Sequence, residues 1–360
     1  MDGLAVDYKA FEAYRGKKVF ITGHTGFKGT WLTYLLKELG AIIKGVSLRP
    51  NSEPSHFTLL GLSSHIDHEE MNICNADALR KALLDFQPEY VFHLAAQALV
   101  KESYVNPIDT FSTNIMGSAN LLEAVRACSS VRSLVYITSD KCYENLEWIW
   151  GYRENDRLGG HDPYSASKAS AELIFSTYLY SYFYNLTQLG AASTRAGNVI
   201  GGGDWSQDRI VPDCIRAYQE NRNICLRHPN ATRPWQYVLE PISGYLLLGL
   251  KLREDPQKYS GAWNFGPVSF EKRTVFEVTT QILKQLGRGN VVVDDSEHQH
   301  EAKLLQLNCD KAHIILRWKS RWSVDQALYY TADWYKRVLS GEDARIVTKG
   351  QLQQYFSELL

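Results

Sequence analysis

The sequence predicts an α/β fold: a doubly wound parallel sheet with a smaller, intertwined C-terminal domain. Two observations carry the prediction. In the first half, short β-rich runs alternate with helix-patterned segments, and those runs are apolar throughout, as strands covered on both faces are. A glycine-spaced loop, Gly23-x-x-Gly26-x-x-Gly29, follows the first strand and opens the first helix.

Residues 17–22 (KKVFIT) form the first expected strand, and residues 30–40 (TWLTYLLKELG) a helix with apolar spacing and a terminal glycine. Residues 41–48, 69–73, 90–96, 133–139 and 187–194 read as further strands. Helical patterns at 75–87 and 110–128 lie between them. After about Ala196 the pattern changes to glycine-rich turns, short strands and fewer clear helices. Residues 232–252 (TRPWQYVLEPISGYLLLGLKL) read as a strand followed by a helix that returns to the sheet. No repeat or proline-rich linker separates the two parts.

The chain has 360 residues, enough for one large or two fused domains with a real core. Its 39 Lys and Arg against 40 Asp and Glu leave no footprint for nucleic acid or an anionic membrane. Six cysteines without a CxxC pair point to neither a zinc site nor a disulfide framework, and read as reduced cytoplasmic thiols. The opening segment is mixed and polar, unlike a signal peptide, and runs such as 245–250 (YLLLGL) are too short to span a bilayer.

The glycine loop reads as a dinucleotide site. Glycine permits the tight turn and lets a pyrophosphate approach the backbone, while the helix start offers free N–H groups and a favourable dipole. Thr25, Phe27 and Lys28 belong to the same turn. An acid at the end of the second strand would hold the adenosine ribose; here Ser47 and Arg49 stand instead, and an Arg there leans toward a 2′-phosphate, hence NADP. Asn72 and Ile73, at the third strand end, are placed for an adenine contact. Leu94, Ala95 and Ala96 are small enough to let a cofactor cross the sheet edge, and Thr138 ends the fifth strand.

Tyr164 and Lys168 stand at i, i+4 on an expected helix and project from one face. A phenol near its usual pKa of about 10 is a poor base, but a nearby ammonium and a positive nicotinamide ring stabilise the phenolate. Ser139, at the fifth strand end, is placed to hydrogen-bond the reacting hydroxyl. Together with the glycine loop these residues point to a hydride-transfer site.

Gly23–Gly29, Ser139, Tyr164 and Lys168 resemble the extended short-chain dehydrogenase/reductase superfamily, whose fold is of the Rossmann type, over nearly the whole chain. The segments GHTGFKGTWL, TSDKCYEN, WGYRENDRLGGHDPYSASKASAE, RAGNVIGGGDW and RPWQYVLEP are similar to the CDP-glucose 4,6-dehydratase family of its nucleotide-sugar branch. That resemblance implies a lyase acting on CDP-glucose toward deoxy sugars of surface polysaccharide. It also implies NAD as cofactor, against the local leaning from Arg49, and a homodimer or a tetramer, the dimer built through helices at about 110–128 and 164–184. The change of pattern near Ala196 divides the chain into residues 1–195, joined by 234–265, for the cofactor and residues 196–233 with 266–360, and the resemblance places the sugar nucleotide on the latter.

Asp140 and Lys141 follow Ser139 directly, charged residues at the end of a core strand. Oxidation at C4 of a glucosyl nucleotide acidifies the C5–H, and water then leaves across C5 and C6. That elimination needs a base at C5 and an acid at the C6 hydroxyl. The resemblance supports Asp140 as the acid and Lys141 as the base, although dTDP-glucose relatives carry Glu in place of Lys141. On the substrate side it implies Asn198 as a polar contact, with Arg209 and Arg233 on the pyrophosphate. His298 and His300 with Glu301 have the residue types of metal ligands, but no third ligand cluster accompanies them and the chemistry requires none, so no metal is expected. The aromatic segment 144–160 is expected to cover the sugar. Two other readings stand beside this one: a nucleotide-sugar 4-epimerase, which needs neither Asp140 nor Lys141, and a non-catalytic dinucleotide sensor on the same fold.

Overall fold

The computed structural model describes residues 8–267, 273–294 and 304–357. Seven strands form one sheet: β1 (Lys18–Thr22), β2 (Ile42–Ser47), β3 (Asp67–Glu70), β4 (Tyr90–His93), β5 (Ser133–Ile137), β6 (Gly190–Ala196) and β7 (Gly261–Phe265). Their order is β7-β6-β5-β4-β1-β2-β3, and every pairing is parallel. The order reverses between β4 and β1, so the carboxyl ends of those strands open a crevice where ligands bind in such sheets.

The apolar strands are covered on both faces. Val19, Ile21, Phe92, Val135 and Ala192 join one hydrophobic cluster, with helices α1 (Phe27–Glu38) and α6 (Leu239–Glu254). Phe20, Val91, Leu134, Tyr136 and Ala191 join another, with α2 (Ala76–Phe86), α3 (Ser118–Arg126) and α4 (Pro163–Tyr178). The edge strand β3 is the exception. Its residues Asp-His-Glu-Glu are polar and largely solvated, a composition that discourages pairing with another chain. It therefore runs earlier than the expected 69–73, and the apolar Met71 and Ile73 lie just past its end.

The second half is richer in helix than expected. It contains α5 (Ile210–Gln219), α6, α7 (Val275–Leu286), α8 (Val324–Leu339) and α9 (Ala344–Ser357). Reciprocal caps start two of them: Thr274 with Glu277 on α7 and Ser323 with Gln326 on α8. Short strand pairs tie parts of the second half together, including Val199–Ile200 with Gln236–Tyr237. The α1-side cluster runs without a break into Trp322, Trp334 and Tyr355 of the C-terminal helical region. Trp31 Nε1 donates to Gly202 O at 2.9 Å and ties α1 to the loop after β6. No helix among the described residues is long and apolar enough to cross a membrane.

Candidate active site

All the cofactor, catalytic and substrate residues named from the sequence line one cleft of about 1390 Å³ at the carboxyl edge of the sheet. The His298–Glu301 cluster lies outside the described residues. Among the described residues no three His, Cys, Asp or Glu side chains gather as metal ligands.

The glycine loop is a cradle that side chains would fill. Gly23 has φ +76°, and a Cβ there would sit 2.6 Å from Ala95 N. A Cβ on Gly29 would lie 2.0 Å from Gly23 O, so glycine lets the first turn of α1 close on the loop. Thr25 Oγ1 lies 2.7 Å from Ser47 Oγ and donates to Leu48 O at 2.9 Å, pinning the loop to the end of β2. Leu94, Ala95 and Ala96 form the opposite wall, and Ala95 N donates to Thr22 Oγ1 at 3.2 Å. The free N–H groups of α1 and these close approaches fit a dinucleotide pyrophosphate.

The Arg read at the end of β2 carries an acid partner. Arg49 Nε donates to Glu70 Oε2 at 2.7 Å, and Glu70 stands opposite Ser47 in the β2–β3 register. The leaning toward a 2′-phosphate took Arg49 as unpaired by any acid. Asn72 is exposed and caps Cys74 N, while Ile73 is buried against Gly117.

Ser139, Asp140 and Lys141 emerge from β5 in one tight turn. Ser139 caps it, its Oγ accepting from Lys141 N at 3.2 Å and donating to Asp140 Oδ1 at 2.9 Å. Asp140 is 3 % exposed, and its Oδ2 is buried without a hydrogen bond. Burial raises its pKa, against the opposing pull of Lys141, Ser139, Arg233 and Lys28. A carboxyl held toward its protonated form is suited to giving a proton.

Tyr164 and Lys168 project together from α4, with Nζ 5.9 Å from the phenol ring centroid. Burial lifts Tyr164 to about 12, outweighing the lowering by Ser139 and Arg209. Burial also drops Lys168 to about 8, against the raising influence of Cys142 and Glu172. The first turn of α1 adds a further cation: Lys28 is lowered to about 8 by burial and by the charges of Lys168 and Arg209. Thr138 lines the cleft, and its hydroxyl is engaged by Glu172 and by Thr194 O behind it.

On the substrate side, Arg209 Nη1 pairs with Asp204 Oδ2 at 2.9 Å, and Arg233 lies close enough to Asp140 to influence it. Asn198 follows β6, its carbonyl accepting from Gln236 N at 3.0 Å. The segment 144–160 lines none of the cleft. It packs instead against 304–308, through Tyr152 N to Gln306 O and Asn145 Nδ2 to Leu304 O, leaving Ile149 and Trp150 exposed. Two features were missed. Asn114, in a π-turn (Ser112–Gly117), donates to Gln97 O and to Ser167 Oγ, clamping the wall after β4 to α4. Cys225–His228 line the cleft from a short strand (Ile224–Leu226) and the residues after it, which carry no motif.

The comparisons with known proteins agree with this geometry. The profile of the GDP-mannose 4,6 dehydratase family matches residues 20–331. The CDP-glucose 4,6-dehydratase of Salmonella typhimurium is 44 % identical over 96 % of this chain and 97 % of its own. The dTDP-glucose 4,6-dehydratase of Bacillus anthracis, solved with NAD, superposes with TM-score 0.74 at 21 % identity, covering 92 % of this chain and 100 % of that one. A Thermus thermophilus UDP-glucose 4-epimerase complex with NAD gives 0.76 at 23 %, covering 89 % and 99 %. These two show that dehydratase and epimerase share the fold, so fold alone does not separate them. With the family profile spanning most of its length and a near full-length relative at 44 % identity, the chain belongs to the GDP-mannose 4,6 dehydratase family.

Proposed function

We propose that the protein is an NAD-dependent CDP-glucose 4,6-dehydratase, converting CDP-D-glucose to CDP-4-dehydro-6-deoxy-D-glucose and water. The observation that carries this reading is the buried Asp140, with an oxygen that has no partner, beside Lys141 in the turn that also presents Ser139. A 4-epimerase has no use for a second acid–base pair. The glycine loop and the wall at Leu94–Ala96 would hold NAD, which would supply the hydride acceptor for C4 and the hydride source for C6. Tyr164 takes the proton from the C4 hydroxyl, with Ser139 as hydrogen-bond partner and Lys168 beside the ring. Lys141 removes the C5 proton, Asp140 protonates the C6 oxygen, and water leaves. Asn198, Arg209 and Arg233 hold the sugar diphosphate, and the preference for cytidine follows the 44 % identical relative.

The division of labour we propose assigns residues 1–195 and 234–265 to the cofactor, and the remainder to the sugar nucleotide. The protein works in the cytoplasm as a homodimer. Val105, Ile108, Met116, Leu173 and Tyr180 leave apolar surface exposed on and beside α3 and α4, which supports a helical dimer face.

Incubation with CDP-glucose in deuterated water tests the reading. The expected product has lost water and carries deuterium at C5, with no accumulating NADH. An unchanged sugar across CDP-, dTDP-, GDP- and UDP-glucose would overturn it. A C4-inverted sugar that keeps its C6 hydroxyl would transfer the protein to the epimerases.

A further inference from the structure

Behind the active-site turn lies a buried polar network that the mechanism above does not use. Glu172 follows Lys168 by one helical turn on α4, as Lys168 follows Tyr164. Its carboxylate pairs with Arg195 of β6 at 2.8 Å, the two side chains being only 2 % and 4 % exposed. Glu172 Oε2 also accepts from Ser193 Oγ at 2.8 Å, and Oε1 from Thr138 Oγ1. Arg195 Nη1 donates to Tyr143 OH at 2.8 Å and to Glu154 O at 3.0 Å, and its guanidinium stacks 4.9 Å from the Tyr143 ring centroid. Tyr143 OH passes the chain on, donating to Asn264 Oδ1 at 2.8 Å. Asn264 Nδ2 ends it on Tyr152 O and Asn308 O.

A buried ion pair is weak evidence for stability, because desolvation offsets most of its attraction. What it does supply is fixed geometry. Here the two groups it fixes are telling: Thr138 precedes Ser139, and Tyr143 follows Cys142. They bracket the Ser139-Asp140-Lys141 turn on both sides. Glu172 also faces Lys168 and raises its pKa against burial.

We infer that Tyr143 is a positioning residue for the elimination step, tied by the Glu172–Arg195 pair so that Asp140 and Lys141 are held in register with C6 and C5. The inference rests on the dehydratase reading. Among the described residues the Tyr164–Lys168 pair on α4 has no hydrogen bond to Tyr143, and Ser139 is held from its other side through Thr138, so loosening Tyr143 spares the oxidation at C4 and slows the loss of water.

Tyr143→Phe tests this. It keeps the ring, its stack on Tyr152 at 5.1 Å and its face toward Arg195, and removes only the hydroxyl that joins Arg195 to Asn264. With CDP-glucose as substrate, kcat should fall roughly ten- to a hundredfold, the scale of a small misplacement, while KM stays near wild type. Reduced nicotinamide, read by its absorbance, should build up during turnover in the variant and not in the wild type. Asn264→Ala should reproduce the effect, and the double variant should be no slower than the slower single one, as for two links of one chain. Thermal denaturation reports folding separately; if Asn264→Ala does not fold, Tyr143→Phe alone decides. Unchanged kcat in folded Tyr143→Phe, or a slower rate without reduced nicotinamide, overturns the inference. Absence of dehydration by the wild type in parallel overturns the dehydratase reading instead.

Discussion

Replacing Asp140 by Asn separates the two halves of the proposed reaction. Asn keeps the shape of the side chain and an oxygen to accept from Ser139, and removes the proton that Asp140 gives to the C6 oxygen. A positioned general acid contributes roughly 10²–10⁴-fold. At about 1.4 kcal/mol per factor of ten, that is roughly 3–5 kcal/mol of barrier. Rapid mixing with CDP-glucose should therefore still reduce bound NAD, while keto-deoxy product forms about 10²–10⁴ times more slowly. Stability gives a second readout with the opposite sign. The folded-state pKa of Asp140 is raised above 3.8, so the folded chain holds this proton more tightly than the unfolded chain. The charged form then destabilises the fold above the folded pKa, and the penalty vanishes as pH falls to about 3.8. Asn carries no such charge. Asp140→Asn should melt higher than wild type at pH 8, with a gap that narrows in acid. Product formation at the wild-type rate would refute the acid role, and a variant less stable at pH 8 would refute the buried, unpaired carboxylate.

Lys141→Ala should still reduce bound NAD slowly with substrate and fail to release keto-deoxy product; full turnover in that variant sinks its role as the C5 base. Glu70→Ala frees Arg49 from its carboxylate, so NADP affinity should rise relative to NAD by roughly two- to fivefold, the scale of an exposed charge contact. An unchanged ratio in paired titrations would remove Glu70 from cofactor choice. Burial lowers His24 to about 4 and both His56 and His93 to about 3, from 6.5. The unfolded chain then binds more protons between these values, so stability is lost as pH falls below 6.5, by up to about 4 kcal/mol per pH unit for three groups. Urea melts at pH 7.5, 6 and 5 check this, and a flat midpoint would refute it.

What was legible in the sequence is what short spacing encodes. Gly23-x-x-Gly26-x-x-Gly29 can be read because one turn brings all three glycines to one backbone approach, and Tyr164 with Lys168 because one helical turn aligns them. What was not legible depends on partners brought by the sheet. The acid beside Arg49 was sought at the end of β2, but Glu70 stands on β3 and reaches it through the Ser47–Glu70 register. The strand carrying it was misplaced for a related reason: as a polar edge it has no apolar run to mark it. The wall from Cys225 to His228 comes from a three-residue strand, Ile224–Leu226, and the two residues after it, too short for any period. The aromatic segment 144–160 is expected over the sugar by composition, whereas its partners are set by tertiary contacts: hydrogen bonds from Asn145 and Tyr152 tie it to residues 304–306.

The charges at the end of β5 follow the same division. In the sequence, Asp140 and Lys141 look like a pair that could neutralise each other. Among the described residues Asp140 accepts from Ser139 alone, and Oδ2 is buried without a hydrogen bond. A pair kept only for stability would satisfy that oxygen, because an unsatisfied buried acceptor costs about 1–3 kcal/mol. A few residues away, Glu172 has Arg195, Ser193 and Thr138 on its two oxygens. The fold can therefore satisfy a buried carboxylate at this edge of the sheet, and does so for Glu172 but not for Asp140. The contrast separates the carboxylate that holds the turn from the one that faces the cleft with a lone pair to spare. Filling Asp140's position with a satisfied group should make the protein more stable and a poorer dehydratase, the trade expected where strain is kept at a reacting centre.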